Sequence, residues 1–193
     1  MRTNRSVLLL LLGLALAAVR SAAADDEPGR KKELPSPPTP TVEPYTCGTV
    51  QRIHTLDGVF LASQPQPADL EQAKAGGIRT VVSLRHADEL DWDEAALVAR
   101  LGMEHASIPF RTPDELTDDV FDRVRALLND PAKRPLLLHC SSANRVGAVW
   151  LAHRVLDGGL SIQAAVAEAR RVGLKLPAFE EKALDHVRRR QGR

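Results

Sequence analysis

Cys140 is followed five positions later by Arg145, within the stretch His139-Cys140-Ser141-Ser142-Ala143-Asn144-Arg145-Val146-Gly147. The thiolate is the reactive form of cysteine, and a neighbouring cation or helix N-terminus favours it. Small residues between the two let successive backbone N–H groups converge into an anion-binding nest, to which a following helix adds its positive end. A guanidinium fork matches two oxygens of a tetrahedral oxyanion. The expected chemistry is therefore nucleophilic attack by Cys140 on an oxyanion, with Arg145 and the loop Ser141, Ser142, Ala143 and Asn144 as its binders. The bland alternative is an inert cysteine buried at a strand end, where free cysteines commonly lie. Against it stands the conjunction of His139, Cys140, two serines, Arg145 and Gly147 at one strand, loop and helix junction.

The surrounding pattern supplies that junction. Pro135 to His139 is an apolar run suited to a buried strand, and Val146 to Leu156 reads as the helix that follows. Upstream, Val50 to His54 and Val59 to Ala62 flank the turn dipeptide Asp57-Gly58 and predict a hairpin. Helices are expected over Pro67 to Ala75, Trp92 to Leu101, and from an N-cap at Thr117 to Leu128. They alternate with strands over Ile78 to Leu84 and Met103 to Ile108. Two more helices, Ser161 to Val172 and Ala178 to Arg190, complete an α/β sandwich with a mostly parallel central sheet flanked by helices. In such a fold ligands bind beyond the carboxyl ends of the strands.

Other candidates lie at that edge. Asp114 is placed to protonate a leaving group, or else charges the start of the next helix; Asp118 reads as a cap of that helix. Arg85, after the strand Ile78 to Leu84, is either a substrate contact or a partner of Glu89 or Asp88. His139 supports the thiolate or is a satisfied structural histidine. The remaining histidines, His54, His86, His105, His153 and His186, occur without metal-ligand spacing, so no metal site is expected.

The residues resemble a known family. His-Cys before a small-residue loop ending in Arg looks like the signature of cysteine-dependent tyrosine and dual-specificity phosphatases. The order Ser63-Gln64-Pro65, Thr80 to Arg85, Ile108-Pro109 and His139 to Trp150 is similar to the bacterial beta-lactamase-hydrolase-like phosphatase-like domain, over about Val50 to Val172. The resemblance implies a protein-tyrosine-phosphatase-like fold, a Cys140 nucleophile, oxyanion binding by Arg145, a phosphorylated substrate and no cofactor. Two features depart from phosphatases. Four residues separate Cys140 from Arg145, the spacing typical of rhodanese-like sulfurtransferases, which keeps a persulfide and a sulfur-donor substrate open. Ala143 stands where related loops carry Gly, and Val146 where phosphatases carry a hydroxyl that aids thiolate departure. These keep open a third reading, a weakly active anion-binding module.

The 193-residue chain is 44% hydrophobic and 4% aromatic, enough for one modest core built from Leu, Val and Ala. With 26 basic and 25 acidic residues there is no electrostatic case for nucleic acid or an anionic membrane surface. Residues 1–24 read as a cleavable export signal, with Arg2 and Arg5 before the apolar run Val7 to Val19 and small residues at Ala22 to Ala24. A periplasmic or secreted protein without stable membrane insertion is expected. Residues 25–46 are a Pro-rich tether and 47–193 the catalytic domain. Of the two cysteines, Cys47 reads as incidental or as a reversible partner that silences Cys140.

Overall fold

The computed structural model describes residues 40–192; the expected signal segment and the tether as far as residue 39 lie outside them. Strand β1 (Glu43–Pro44) lies antiparallel on β2 (Ile53–Leu56), and β2 on β3 (Val59–Ala62). Asp57 and Gly58 between β2 and β3 have φ of 48° and 73°, the left-handed pair whose twist suits a tight hairpin. Helices and strands then alternate as α1 (Pro67–Ala75), β4 (Thr80–Ser83), α2 (Glu94–Arg100), β5 (Glu104–Ser107), α3 (Asp118–Asn129) and β6 (Leu136–His139). Three helices follow, α4 (Asn144–Leu156), α5 (Ile162–Val172) and α6 (Pro177–Gln191).

The sheet order is β1-β2-β3-β6-β4-β5, with β6 parallel to both β3 and β4, and β4 parallel to β5. Its helices cover both faces, as the sequence pattern predicts. Side chains alternate across the sheet with period two. Leu136 and Leu138 join the core formed with α3 to α6, while Leu137 joins the smaller core formed with α1 and α2. Helix α4 is buried from Asn144 through Val155, so a helix without a polar face runs through the larger core. No helix among the described residues is long and apolar enough to cross a membrane.

Element ends shift by a few residues from the sequence reading, and three of the differences bear on the site and the core. Strand β2 starts at Ile53 rather than Val50. Helix α4 starts at Asn144, which places Arg145 in its first turn rather than before it. The last residues of the expected tether belong to the fold: Val42 is buried, β1 pairs with β2, and the Pro40 carbonyl accepts a 2.6 Å bond from Arg154 Nη2. The prolines concealed this, yet Pro44 fits an edge strand, where a missing N–H breaks no ladder.

Candidate active site

Strand β6 delivers Cys140 to the carboxyl edge at the middle of the sheet, and both neighbouring strands hold it there. Cys140 N–H donates to Ala62 O at 3.4 Å, Gln64 N–H to Ser141 O at 3.1 Å and Leu84 N–H to His139 O at 3.0 Å. The loop ends at Ala143, left-handed at φ 66° and ψ 5°, and α4 begins. A left-handed Ala costs about 1 kcal/mol relative to an ordinary conformation. Packing from the α5–α6 connection holds it: a Cβ on Gly173 would lie 2.8 Å from Ala143 Cβ, so glycine on one side makes room for the methyl on the other. Asn144 Oδ1 fastens the same connection by accepting from Lys175 N at 2.7 Å and Leu176 N at 3.1 Å.

The backbone N–H groups of Ser141, Ser142, Ala143, Asn144, Arg145 and Val146 find no acceptor among the described residues. Six successive free donors, three of them in the first turn of a helix, make a concentrated field for an anion. Cys140 is 1% exposed, so it sits deep in that loop and not on the surface.

Arg145, 7% exposed, is gripped by a carboxylate fork from the 3-10 turn Ala87–Glu89. Nη1 lies 2.9 Å from Glu89 Oε1 and Nη2 2.7 Å from Oε2. Nη1 also donates to Leu84 O at 3.0 Å and Phe110 O at 2.7 Å. Burial opposes the guanidinium charge, but the Glu89 bonds and the adjacent Cys140 sulfur more than offset it, and the Arg145 pKa rises. The Arg145 bonds bring Glu89 down to about 2.

A second polar assembly lies on the α1 and α2 side. His139 Nε2 is 3.1 Å from Glu94 Oε1, His105 Nε2 is 3.3 Å from the same oxygen, and Gln64 Nε2 donates to Oε2 at 3.1 Å. Burial opposes the Glu94 charge, yet these bonds hold its carboxyl well below the usual range. A cleft of about 570 Å³ opens beside this assembly, lined by Arg85, Leu90, Trp92, Glu94 and His105 among others.

The structure brings Cys140, Ser141, Ser142, Ala143, Asn144 and Arg145 together as expected from their succession. The Asn144 side chain is committed to the α5–α6 connection, so its contribution to the nest is its N–H. Arg85 is turned inward: Nη1 donates to Gln64 Oε1 at 2.8 Å, Nη2 donates to Glu89 O, and Nε lies 3.5 Å from Glu89 Oε2. It supports Glu89 instead of presenting a free guanidinium. Asp114 stands on the segment after Phe110 with its side chain 95% exposed, 3.2 Å from Lys182 Nζ. Asp118 bonds His186 Nδ1 at 2.7 Å and Arg189 at 2.8 Å, tying α3 to α6. Among the described residues no His, Cys, Asp and Glu group is arranged to hold a metal.

The Cys47 to Cys140 bridge is not formed: both thiols are free, Cys47 packing against the core with α1 and α2 and Cys140 belonging to the core on the other face. The sheet separates them. Burial and the Asp69 charge push the Cys47 thiol pKa up, which makes it a poor nucleophile. Sequence reasoning missed Glu89 as the Arg145 partner and Glu94 altogether; Gln64 entered only as part of the Ser63-Gln64-Pro65 run, and His105 only as a histidine without metal-ligand spacing. The Arg85 to Glu89 spacing was visible, but nothing in the chain announces a bond between residues 56 apart.

The fold is that of the protein-tyrosine-phosphatase-like α/β proteins. It is similar to Tk-PTP in a Gly-to-Ala mutant form, at TM-score 0.64 and 20% identity, covering 74% of this chain and 98% of that one. It is also similar to Pseudomonas aeruginosa TpbA in a Cys-to-Ser form in complex with pTyr, at TM-score 0.57 and 21% identity, over 71% of this chain and 83% of that one. The Siw14 catalytic core matches at TM-score 0.61 and 14% identity, over 77% of this chain and 94% of that one. No protein-family model matches the chain, and no curated protein matches it.

Proposed function

We propose that this chain is a cysteine-dependent phosphatase-like hydrolase of phosphate monoesters. The observation that carries the reading is the run of six unaccepted N–H groups beside Cys140, with Arg145 held in place by Glu89. The Cys140 thiolate attacks phosphorus, and the bond from phosphorus to the leaving oxygen breaks. Loop N–H groups and Arg145 stabilise the equatorial oxygens, which is the larger share of catalysis in such sites. Asp114 is the acid assigned to the leaving oxygen. Water then attacks the phosphocysteine, gives its proton to the Asp114 carboxylate, and releases phosphate and thiolate.

Val146, fully buried, offers no hydroxyl to assist that second step, so phosphocysteine accumulates and an initial burst precedes steady turnover. An aryl phosphate is the substrate class favoured by the pTyr held in the TpbA structure. The export signal read over 1–24 assigns the reaction to the periplasm or the exterior. The four-residue spacing favours a second reading, sulfur transfer through a Cys140 persulfide. One pair of assays separates them. Cys140→Ser is expected to abolish aryl phosphate hydrolysis; abolition of thiocyanate formation from thiosulfate and cyanide would instead assign sulfur transfer. A wild-type protein inactive in both would sink the enzymatic reading, and an unchanged Asp114→Asn would sink the acid assignment.

A further inference from the structure

We propose that Gln64 is a positioning residue that holds the arginine side and the nucleophile side of the cup in register. The proposal rests on the oxyanion-site reading above. The Gln64 amide is used at both ends: Oε1 accepts from Arg85 Nη1 at 2.8 Å, while Nε2 donates to Glu94 Oε2 at 3.1 Å and to Pro65 O at 3.0 Å. From Oε1 the bonds continue through Arg85 to Glu89 and so to Arg145, the oxyanion binder. From Nε2 they continue through Glu94 to His139, the residue before Cys140. The Gln64 backbone N–H adds a third tie, to the carbonyl of Ser141 in the nest itself. Among the described residues it is the side chain that bonds to both arms.

The chemistry of the position explains the residue. A half-buried cation lies on one side and a buried carboxylate on the other, and an amide presents oxygen to the first and N–H to the second. A carboxylate at position 64 would satisfy Arg85 but face Glu94 with like charge and no donor. A hydrocarbon would leave both neighbours short of a partner. Either change lets the Glu89 arm and the His139 arm drift, and reacting groups displaced by about 1 Å can lose on the order of 100-fold in rate.

The test compares wild type with Gln64→Glu and with the swap Gln64→Glu/Glu94→Gln, in which the amide and the carboxylate exchange places. Two readouts are taken on folded protein: kcat and KM for an aryl phosphate, and the protection of Cys140 by inorganic phosphate against iodoacetamide. Gln64→Glu is expected to lower kcat about 100-fold with a smaller change in KM, and to weaken phosphate protection; the swap is expected to recover both in large part. A purely structural role would lower the melting temperature and leave kcat and protection unchanged, and that result overturns the proposal. So does a swap no better than the single variant. If Gln64→Glu does not fold, Gln64→Asn, with the amide drawn back by one methylene, carries the same expectations. Should wild type show phosphate protection without turnover, the hydrolase reading fails while the positioning role is still decided by the protection arm.

Discussion

Helix α4 carries a buried arginine near each end, and the two are placed in opposite electrostatic settings. Arg154 lies in the last turns, where the helix dipole favours a cation. Its Nε bonds Glu168 Oε1 at 2.7 Å, its Nη2 bonds the Pro40 carbonyl at 2.6 Å, and its guanidinium lies 5.7 Å from the Trp150 ring centroid. Trp150 Nε1 shares the same Glu168 oxygen at 2.8 Å. Arg145 sits in the first turn, where the dipole disfavours a cation, and is held there by the Glu89 fork and by the Leu84 and Phe110 carbonyls. A charge that breaks the helix rule beside six free N–H groups and a cysteine is the feature on which the proposed anion site rests. The charge that obeys the rule is a structural clamp.

Substitutions at the two ends should therefore separate activity from stability. The largest effect is expected from Arg145→Lys: loss of the bidentate fork should lower kcat per folded molecule by about 100-fold or more. Arg154→Lys should leave the kcat of folded protein at the wild-type value. Steady-state kinetics with parallel thermal melts decide this, and equal losses of activity in both variants would erase the distinction drawn here.

Stability is the readout for the Arg154 end. Glu168→Ala strands Arg154 and the Trp150 N–H together, and breaking a buried ion pair by removing one partner costs about 3 kcal/mol or more. Urea unfolding should show that loss while kcat per folded molecule is retained. Low pH then isolates the other arm. The Glu89 folded-state pKa of about 2 lies below its ordinary 4.5, so its stabilisation is complete above 4.5 and is lost as pH falls through about 2. The stability gap between wild type and Glu89→Gln should close over that window, and a gap that persists at its foot would show that the charge of Glu89 is not what holds Arg145. The smallest effect is expected from Ala143→Gly, where relief of the left-handed backbone and loss of the methyl against Gly173 oppose each other. The change in unfolding free energy should stay within about 1 kcal/mol.

Much of the fold was legible because its signals are local. The β-branched run around Thr80–Ser83, the apolar face of Asp118–Asn129 and the Asp57-Gly58 turn each declare themselves within a few residues. Strand β1 was not legible: a two-residue pairing inside a proline string has no periodicity to read, and the burial of Val42 depends on joining a core built from residues far along the chain. The loop from Cys140 to Arg145 was readable as a unit since its parts are consecutive. Its supports were not. Glu89, Gln64 and Glu94 are ordinary surface-type residues by sequence, and Arg85 points equally well outward or inward until the 3-10 turn at Ala87–Glu89 exists to receive it.

By itself, then, the amino-acid order determined that a cysteine would end a buried strand and an arginine would begin the helix after it, because hydrophobic period and loop length act over neighbouring residues. Only the tertiary structure decided which carboxylate grips that arginine, that Cys47 and Cys140 fall on opposite faces of the sheet, and that one glutamine joins the two polar arms. Those outcomes depend on where β6 inserts between β3 and β4, a long-range choice made by burial of the whole sheet and written in no single segment.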